Sequence, residues 1–239
     1  MSGMIGDFHT HILPGVDDGS KSPEQSLEML QRMHQQGISR VVATPHFYAN
    51  SDSPRRFYER REKAIRALQA VTRGQTLPQV IPGAEVHFFE GISDCEELSM
   101  LTIAGTSCLL VEMPLGHWSE RMLRELQDLE HKRGITPIVA HIERYLPLVN
   151  PCALPKKLSE MPVLVQASGE FFRNRLTRPL ALKLLSAERI HLLGSDCHDP
   201  IRRKPDLDEA AEIIRRRLGQ EALERICQWE NRVLENRLP

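Results

Sequence analysis

The feature that most constrains the fold is a regular alternation of short β-branched runs with longer amphipathic stretches along the 239 residues. The runs predict seven strands, at Met4–Phe8, Ser39–Thr44, Gln79–Pro82, Ser107–Glu112, Thr136–Ala140, Val163–Ala167 and Ile190–Gly194. The amphipathic stretches predict helices at Pro23–Gln36, Pro54–Thr72, Asp94–Leu101, Glu120–Arg133, Pro179–Ala187, Asp206–Leu218 and Gln220–Leu234. Strands that alternate with helices are joined by right-handed crossovers and form a parallel sheet. The sequence therefore predicts an α/β fold.

Residues at the predicted helix ends support this assignment. Ser22-Pro23-Glu24 combines a capping side chain, a proline at the first helical position and an acid near the positive end of the helix. Gly37 and Gly134 follow helices, where a left-handed cap is expected. The unbroken series of βα units predicts a closed or nearly closed barrel in a single domain, residues 1–239, with a doubly wound open sheet as the alternative. No Gly-x-Gly-x-x-Gly turn follows the first strand, which argues against a dinucleotide-binding sheet.

Composition argues against several classes of protein. The 31 Lys and Arg residues nearly balance the 32 Asp and Glu residues, whereas a nucleic-acid-binding domain usually has a basic excess. No apolar run approaches the length of a membrane-spanning helix, and the first residues lack the pattern of a secretory signal. We therefore expect a cytoplasmic protein. The five cysteines are scattered and form no Cys-x-x-Cys pair, which argues against a zinc finger or a disulfide framework.

Residues that can bind a metal follow most of the predicted strands. In chain order they are His9, His11, His46, Glu85, Glu112, His141, Asp196 and His198. The carboxyl ends of strands in an α/β barrel point to one shared mouth, so these distant residues can converge. Residues two apart in an extended segment face the same side, as in His9-x-His11 and Asp196-x-His198. Imidazole and carboxylate ligands suit zinc, manganese or iron, and a carboxylate such as Glu85 can bridge two ions that activate a shared hydroxide.

Together these motifs resemble the polymerase-and-histidinol-phosphatase (PHP) superfamily. The segment His9–Gly19 (HTHILPGVDDG) further resembles the opening of the bacterial PHP-type tyrosine-protein phosphatases linked to capsule and exopolysaccharide synthesis. Ala43–His46 (ATPH), Ala140–Tyr145 (AHIERY) and Ser195–His198 (SDCH) resemble the same proteins. The resemblance covers essentially the whole chain. Its Asp-Asp-Gly and His-Ile-Glu-Arg-Tyr elements are more specific than the His-x-His pair that the whole superfamily shares.

The resemblance implies a distorted (β/α)7 PHP-type barrel that holds three divalent metals, with manganese as the first expectation and iron or zinc as alternatives. It implies that the first ion is bound by His9, His11, Glu85 and Asp196, the second by Glu85, Glu112 and His141, and the third by Asp18, His46 and His198. Arg144 and Arg203 match arginines that bind phosphate in the family. Asp17 competes with Asp18 for its role, and the neighbours Arg202 and Lys204 compete with Arg203.

The activity that the resemblance implies is hydrolysis of phosphotyrosine on a bacterial tyrosine kinase of polysaccharide export, by attack of a metal-activated hydroxide. The alternatives are a phosphatase for a small metabolite, such as histidinol phosphate or a nucleotide, and a catalytically weak regulator that binds the kinase. Among partners, we expect a phosphotyrosine protein and a homo-oligomer, with no nucleic acid and no insertion into a membrane.

Four further positions carry expectations of their own. Cys197 alternates with two ligands, so its side chain is expected to point away from the metals and not to act as a nucleophile. Asp7 is expected to orient a ligand through a hydrogen bond rather than to bind metal itself. The Ala49–Arg61 region, with Phe47, Tyr48, Arg55 and Arg56, predicts a lid near the third metal. Phe171-Phe172 lines either the substrate mouth or the core.

Overall fold

A computed structural model of the chain describes residues 5–148 and 153–238. In this part of the chain, nine strands alternate with eight α-helices. The strands are β1 (Asp7–Thr10), β2 (Arg40–Ala43), β3 (His46–Phe47), β4 (Gln79–Pro82), β5 (Glu85–His87), β6 (Cys108–Glu112), β7 (Thr136–Val139), β8 (Leu164–Ser168) and β9 (Leu192–Gly194). The helices are α1 (Pro23–Gln35), α2 (Pro54–Thr72), α3 (Glu120–Arg133), α4 (Ala153–Leu158), α5 (Gly169–Arg173), α6 (Arg178–Ser186), α7 (Leu207–Leu218) and α8 (Gln220–Leu234). The predicted α/β class is confirmed.

The strands pair in parallel and form a curled sheet. Hydrogen bonds join them in the orders β1-β2-β4 and β3-β5-β6-β7-β8-β9. Only Thr44-Pro45 separates β2 from β3, and only Gly83-Ala84 separates β4 from β5. Each of these pairs can therefore be regarded as one strand that is interrupted by two residues. On the open side of β1, the His11 N–H donates to the Cys197 carbonyl at 2.9 Å. The curl therefore brings the carboxyl ends of the first and last strands to the same edge.

The strands are buried on both faces because the sheet lies between two apolar clusters. The smaller cluster takes one side chain or more from each of seven strands, including Phe8, Val42, Ile81, Leu110, Ile138, Leu164 and Leu192. Val233 of α8 is buried in the same cluster, and Trp229 packs against it. Intervening residues such as Val41 and Val139 belong to the larger cluster with the helices. This double burial explains why the strand sequences are apolar on successive residues.

Capping interactions define the helix ends that the sequence predicted. The Ser22 side chain accepts a hydrogen bond from the Gln25 N–H, and Pro23 is the first residue of α1. Ser53-Pro54 repeats this arrangement at the start of α2. Gly134 follows α3 in the left-handed conformation, with φ of 62°, and its N–H donates to the Glu130 carbonyl. Both the predicted N-terminal cap of α1 and the predicted glycine cap of α3 are confirmed.

One predicted helix is wrong and two short helices were not predicted. In place of an α-helix at Asp94–Leu101, the chain forms two 3-10 turns, Ile92–Asp94 and Leu98–Leu101, and Cys95 between them has an extended backbone. The leucines at both ends of the second turn are buried, and a 3-10 turn places residues three apart on one side as readily as an α-helix does. The helices α4 and α5 are six and five residues long, which is too short for helical periodicity to be recognised.

Two residues of the sequence-based assignment, Met4 and Cys152, lie outside the described residues. Among the helices of the described part, none combines the length and the apolar character that crossing a membrane requires.

Candidate metal centre

All nine predicted ligands lie at the carboxyl-terminal edge of the curled sheet. They come from β1 and the segment after it, from β3, β5 and β6, and from the segments that follow β7 and β9. Six of them are buried, namely His9, His11, Glu85, His141, Asp196 and His198. The side chain of Asp18, by contrast, is 67% exposed. The site is therefore anchored in the interior of the protein and opens to solvent on one side.

The first group of ligand atoms is formed by the two histidines at the end of β1 and by Asp196. The Nε2 atoms of His9 and His11 are 3.2 Å apart. Asp196 Oδ1 lies 3.6 Å from the first of these nitrogens and 3.3 Å from the second. Glu85 Oε2 approaches the same two nitrogens to 3.1 and 3.3 Å. The four residues that the resemblance assigns to one ion thus meet around one point.

Glu85 links this group to a second one. Its Oε1 lies 2.9 Å from His141 Nε2, which is also 3.4 Å from Glu112 Oε1. His46 Nδ1 lies 2.9 Å from Glu85 Oε2. The donor atoms of His46, Glu85 and Glu112 fall within 4.8 Å of one another. Glu85 therefore has the position of a bridging carboxylate, with one oxygen toward each group.

The third group brings Asp18 between two histidines. Asp18 Oδ1 lies 3.6 Å from His46 Nε2 and 3.4 Å from His198 Nε2. A donor atom of His11 falls within 4.8 Å of these three as well. The structure therefore brings all nine predicted residues together, but it divides them less sharply than expected. His11 belongs to the first and third groups, and His46 belongs to the second and third.

The donor atoms fit divalent cations better than they fit hydrogen bonds with each other. Glu85 Oε2, His46 Nδ1 and His198 Nε2 are buried and have no hydrogen-bond partner of acceptable geometry among the described residues. Buried polar atoms are normally satisfied, and each one that is not requires an explanation. Their partners lie at short distances but at unsuitable angles, which is the arrangement expected of several ligands directed at a common ion. A mixed imidazole and carboxylate set suits manganese, iron or zinc.

Burial and close charges control the protonation of these groups. Burial alone would raise the pKa of the Glu85 carboxyl, but the charge of His9 and the close approach of the His11 imidazole hold it well below its ordinary value. Burial would lower the pKa of the His141 imidazole, but hydrogen bonds to Glu112 and Glu85 raise it to about 9. A histidine must be neutral to bind a metal, so a cation and a proton compete for His141.

Two aspartates support the histidines without joining a ligand group. Asp7 is buried, and its Oδ1 accepts hydrogen bonds from the Ser195 N–H at 2.9 Å and the His9 N–H at 3.3 Å. Asp17 Oδ2 lies 2.6 Å from His11 Nδ1. An acceptor at Nδ1 holds the ring in the tautomer whose Nε2 is free to bind a metal. Asp7 thus has the supporting position that the sequence predicted, and the geometry favours Asp18 over Asp17 as the third-group ligand.

Sequence reasoning missed Gln166 of β8. Its Oε1 accepts a hydrogen bond from the His141 N–H at 2.7 Å and lies 3.3 Å from His9 Nδ1. Gln166 thereby orients one histidine from the first group and one from the second. The available signal was a single amide side chain within an otherwise apolar strand sequence. Gly194 was also missed: a Cβ at that position would lie 2.4 Å from His9 Cβ, so the last strand approaches β1 too closely for any side chain.

The predicted phosphate-binding arginines lie next to the first group. One terminal nitrogen of Arg144 is 2.5 Å from Asp196 Oδ2, and the other is 3.4 Å from Glu112 Oε1. A terminal nitrogen of Arg203 is 2.7 Å from the same Asp196 oxygen. Both guanidinium groups remain partly exposed. Arg202 lines a cavity together with Arg144 and Arg203, but its guanidinium makes no hydrogen bond or ion pair among the described residues. The geometry therefore favours Arg203 over Arg202.

Other polar residues near the site have smaller or different roles. His87 Nδ1 lies 3.1 Å from Glu112 Oε2 and borders the second group. The carboxylate of Glu143 accepts hydrogen bonds from the Ser168 N–H rather than from Arg144. Burial raises the pKa of the Cys197 thiol well above its ordinary value, so this side chain is a poor nucleophile.

The structure gives two aromatic segments different locations: one is in the core and the other is beside the ligand groups. Phe171 and Phe172 are buried in the larger apolar cluster, so they belong to the core and not to the mouth. Tyr48 is 41% exposed and borders a cavity that Asp18 and His46 also line. The Ala49–Arg61 segment contributes Ser51, Asp52, Arg56 and Arg60 to the same cavity. This segment therefore lies beside the third group, where the sequence predicted a lid.

Comparison with known proteins identifies related chains. The family model described as "Capsular polysaccharide synthesis, CpsB/CapC" matches residues 5–234. The tyrosine-protein phosphatase YwqE of Bacillus subtilis is 28% identical over 227 residues, which cover 90% of this chain and 85% of that protein. The tyrosine-protein phosphatase CpsB of Streptococcus pneumoniae is 26% identical over 223 residues, which cover 89% of this chain and 90% of that protein.

Solved structures show the same fold. The crystal structures of YwqE from Bacillus subtilis and CpsB from Streptococcus pneumoniae are described as those of unique metal-dependent tyrosine phosphatases. The match has a TM-score of 0.82 at 24% identity and covers 98% of this chain and 96% of that chain. It confirms an α/β fold with a curled parallel sheet. Because the family model spans nearly the whole sequence, this chain belongs to the CpsB/CapC family of capsular polysaccharide synthesis proteins.

Proposed function

We propose that this chain is a metal-dependent protein-tyrosine phosphatase that acts on a bacterial tyrosine kinase linked to capsule or exopolysaccharide synthesis. The observation that carries the proposal is the convergence of nine histidine and carboxylate side chains, which could bind metal, beside two arginines at one sheet edge. Relatives that align along most of the chain are named tyrosine-protein phosphatases, which supports the same activity.

The ligand groups support three divalent ions, with manganese as the first choice and iron or zinc as alternatives. The first ion would be held by His9, His11, Glu85 and Asp196, the second by Glu85, Glu112 and His141, and the third by Asp18, His46 and His198. Bound there, such ions would neutralise the phosphate dianion and supply a nucleophile from water near neutral pH.

The chain's own residues would position the phosphate and stabilise its charge. Arg144 and Arg203 direct guanidinium groups to the exposed side of Asp196, and each guanidinium can donate two parallel hydrogen bonds to a phosphate. A tyrosine phenol, with a pKa of about 10, is a moderate leaving group. A strong general acid is therefore less necessary than it is for a serine ester. The protonated, buried Cys197 has no part in this chemistry.

The openness of the site favours a protein substrate over a small metabolite. Partly exposed side chains surround the ligand groups: Tyr48 is 41% exposed, and the side chains of Arg144 and Arg203 are 40% and 44% exposed. A site for a small metabolite is usually a concave pocket that buries most of its ligand. A surface mouth instead admits a phosphorylated residue that projects from a polypeptide.

Architecture and assembly carry smaller proposals. Counting β2 with β3 and β4 with β5 as single interrupted strands gives seven, which supports a distorted (β/α)7 PHP-type barrel in one domain of residues 1–239. A homo-oligomer and a cytoplasmic location stay predictions.

A substrate panel tests the proposed function. Purified protein with Mn²⁺ is expected to hydrolyse a phosphotyrosine peptide with a higher kcat/KM than histidinol phosphate or a nucleoside monophosphate. His141→Ala removes a proposed ligand and is expected to lower that value by more than about 100-fold, because even residues that only orient a ligand cost about 10- to 100-fold. Cys197→Ser, the matched control at the same edge, is expected to keep the activity. Efficient cleavage of another phosphoester without hydrolysis of the peptide would show that the substrate class is wrong.

A further inference from the structure

Two cavities flank the ligand groups, and their walls differ in polarity. The cavity beside Arg144 and Arg203 has a volume of about 440 Å³, and every lining residue that the structure describes is polar or charged. The cavity on the side of the third group has a volume of about 340 Å³. Its wall includes Val16 and Tyr48 beside Asp18 and His46. Of these two cavities, only the second is lined by an aliphatic and an aromatic side chain next to the proposed phosphate site.

The Tyr48 side chain is partly exposed, but two aromatic neighbours hold its ring in place. Its ring centroid lies 5.5 Å from that of His46 and 5.6 Å from that of His87, with interplanar angles of 33° and 43°. These distances are typical of interacting aromatic pairs. His46 belongs to the second and third ligand groups, and His87 contacts Glu112. The Tyr48 ring therefore spans the mouth from the third group toward the second.

A second residue that lines this cavity, Val16, is also held in place. Val16 is partly buried and packs against the larger apolar cluster. It directly precedes Asp17 and Asp18, so the segment that places the third-group ligand also places an apolar side chain. A cavity of about 150 Å³ is large enough to bind benzene, and the volume here exceeds that. The cavity that Val16 and Tyr48 line therefore has room for a phenyl ring.

We propose that the cavity bounded by Val16 and Tyr48 is an aryl subsite. It receives the phenyl ring of an aryl phosphate while the phosphate occupies the neighbouring ligand groups. The inference rests on the proposed phosphatase function and adds to it the physical basis for preferring aryl esters over alkyl esters. An alkyl phosphate, such as phosphoserine, gains no ring contact with Tyr48 and leaves the apolar wall in water.

Non-reacting phosphonates separate ring recognition from chemistry. The dissociation constants of phenylphosphonate and methylphosphonate are measured by calorimetry with the full-length protein and Mn²⁺. Wild-type protein is expected to bind phenylphosphonate more tightly. Tyr48→Ala is expected to weaken phenylphosphonate binding about 3- to 10-fold, the range that one lost aromatic contact supplies. Methylphosphonate binding is expected to change by less than about twofold.

Matched variants distinguish the ring contact from a general disturbance of His46. Tyr48→Phe keeps the ring and is expected to keep the phenyl preference. Tyr58→Ala removes a tyrosine of the same 41% exposure from α2 and is expected to change neither constant. Ser51→Phe leaves Tyr48 in place but adds a bulky side chain to a residue that lines the cavity. It is expected to weaken phenylphosphonate binding selectively.

Two results would overturn the aryl subsite: equal binding of both phosphonates by wild-type protein, or a ratio of the two dissociation constants that is unchanged in Tyr48→Ala. If neither phosphonate binds and no phosphotyrosine peptide is cleaved, the proposed function fails and the subsite fails with it. If the peptide is cleaved but the phenyl preference does not depend on Tyr48, only the subsite is wrong.

Discussion

Single residues behind the ligands hold the imidazoles in the orientation that metal binding requires. Asp17 contacts His11 Nδ1 at 2.6 Å and also accepts hydrogen bonds from the backbone N–H groups of His46 and Gly19. Its hydrogen bond to His11 and the backbone N–H donors hold the pKa of the Asp17 carboxyl well below its ordinary value, despite burial. One carboxylate therefore sets the position of two proposed ligands from adjacent strands.

Asp17→Asn tests this positioning role. The amide keeps the shape of the side chain but loses the charge that favours the His11 Nδ1–H tautomer. The affinity for Mn²⁺ is expected to fall about 10- to 100-fold, the usual cost of losing such a partner. Calorimetric titration with Mn²⁺ measures this, and circular dichroism checks that the variant is folded.

An exposed aspartate far from the metal centre supplies the control for this substitution. The side chain of Asp94 is 71% exposed and pairs with Lys132. Asp94→Asn is expected to bind Mn²⁺ with the same affinity as wild-type protein. Equal Mn²⁺ affinity for Asp17→Asn and wild-type protein would contradict the role proposed for Asp17.

At the scale of elements, α8 is attached to the start of β1 through one buried carboxylate. Both oxygens of Glu230 accept the Gly6 N–H, each at 2.9 Å, and Arg40 lies 3.3 Å from one of them. Burial raises the pKa of Glu230 to about 7, against the opposing hydrogen bond from Gly6. Between the ordinary carboxyl value of 4.5 and pH 7, the folded protein therefore binds more protons at Glu230 than the unfolded chain does.

This difference predicts that Glu230 lowers the stability of the protein as pH rises from about 4.5 to 7, by up to roughly 3 kcal/mol. Glu230→Gln removes this titration. The free energy of unfolding of the variant minus that of wild type is therefore expected to be larger at pH 8 than at pH 5. Urea unfolding in EDTA at both pH values measures the change. If the variant loses hydrogen bonds, its free energy of unfolding falls equally at pH 5 and pH 8, so this effect cancels in the comparison of the two pH values.

Glu235→Gln is the control, because Glu235 is exposed just after α8. It is expected to leave the pH dependence of unfolding unchanged. If the stability difference between Glu230→Gln and wild type is the same at both pH values, Glu230 does not titrate between them.

For the whole molecule, metal binding is coupled to stability and to protonation. The proposed ligands come from segments spread along the chain, so ions bound there would favour the folded state by RT ln(1 + [L]/Kd). His141, with its raised pKa of about 9, must lose a proton when it binds a metal. Metal affinity, and with it stabilisation, should therefore increase with pH.

Thermal unfolding tests this coupling. Mn²⁺ at about 100 times its Kd contributes about 2.7 kcal/mol, which corresponds to a Tm increase of roughly 5–10 °C over protein in EDTA for a chain of this size. At a fixed Mn²⁺ concentration, the increase is expected to be larger at pH 8 than at pH 6. Glu85→Gln is expected to reduce the increase at both values. An equal increase at pH 6 and pH 8 would contradict proton release on metal binding.

The sequence alone predicted the features that depend on local periodicity and residue type. Strands such as Cys108–Glu112 are apolar on successive residues, and the helices α1 and α2 begin at Ser-Pro pairs, so both could be located without tertiary information. The short segment Asp94–Leu101 could not, because an α-helix and a 3-10 turn bury the same spacing of leucines. Eight of the nine proposed ligands were found because they lie at or just after the ends of predicted strands, and Asp18 was found through the resemblance of the His9–Gly19 segment.

Only the tertiary structure decided what depends on convergence through space. Asp7 binds the Ser195 N–H across 188 residues of chain, and no local pattern predicts such a contact. The same convergence distinguishes Asp18 from Asp17 and Arg203 from Arg202, because each pair consists of adjacent residues of one type that the sequence alone does not tell apart. It also places Val16 and Tyr48 in the wall of one flanking cavity, whereas only polar and charged residues line the other. The sequence determined which donor atoms reach the mouth, and the curl of the sheet determined how they are grouped.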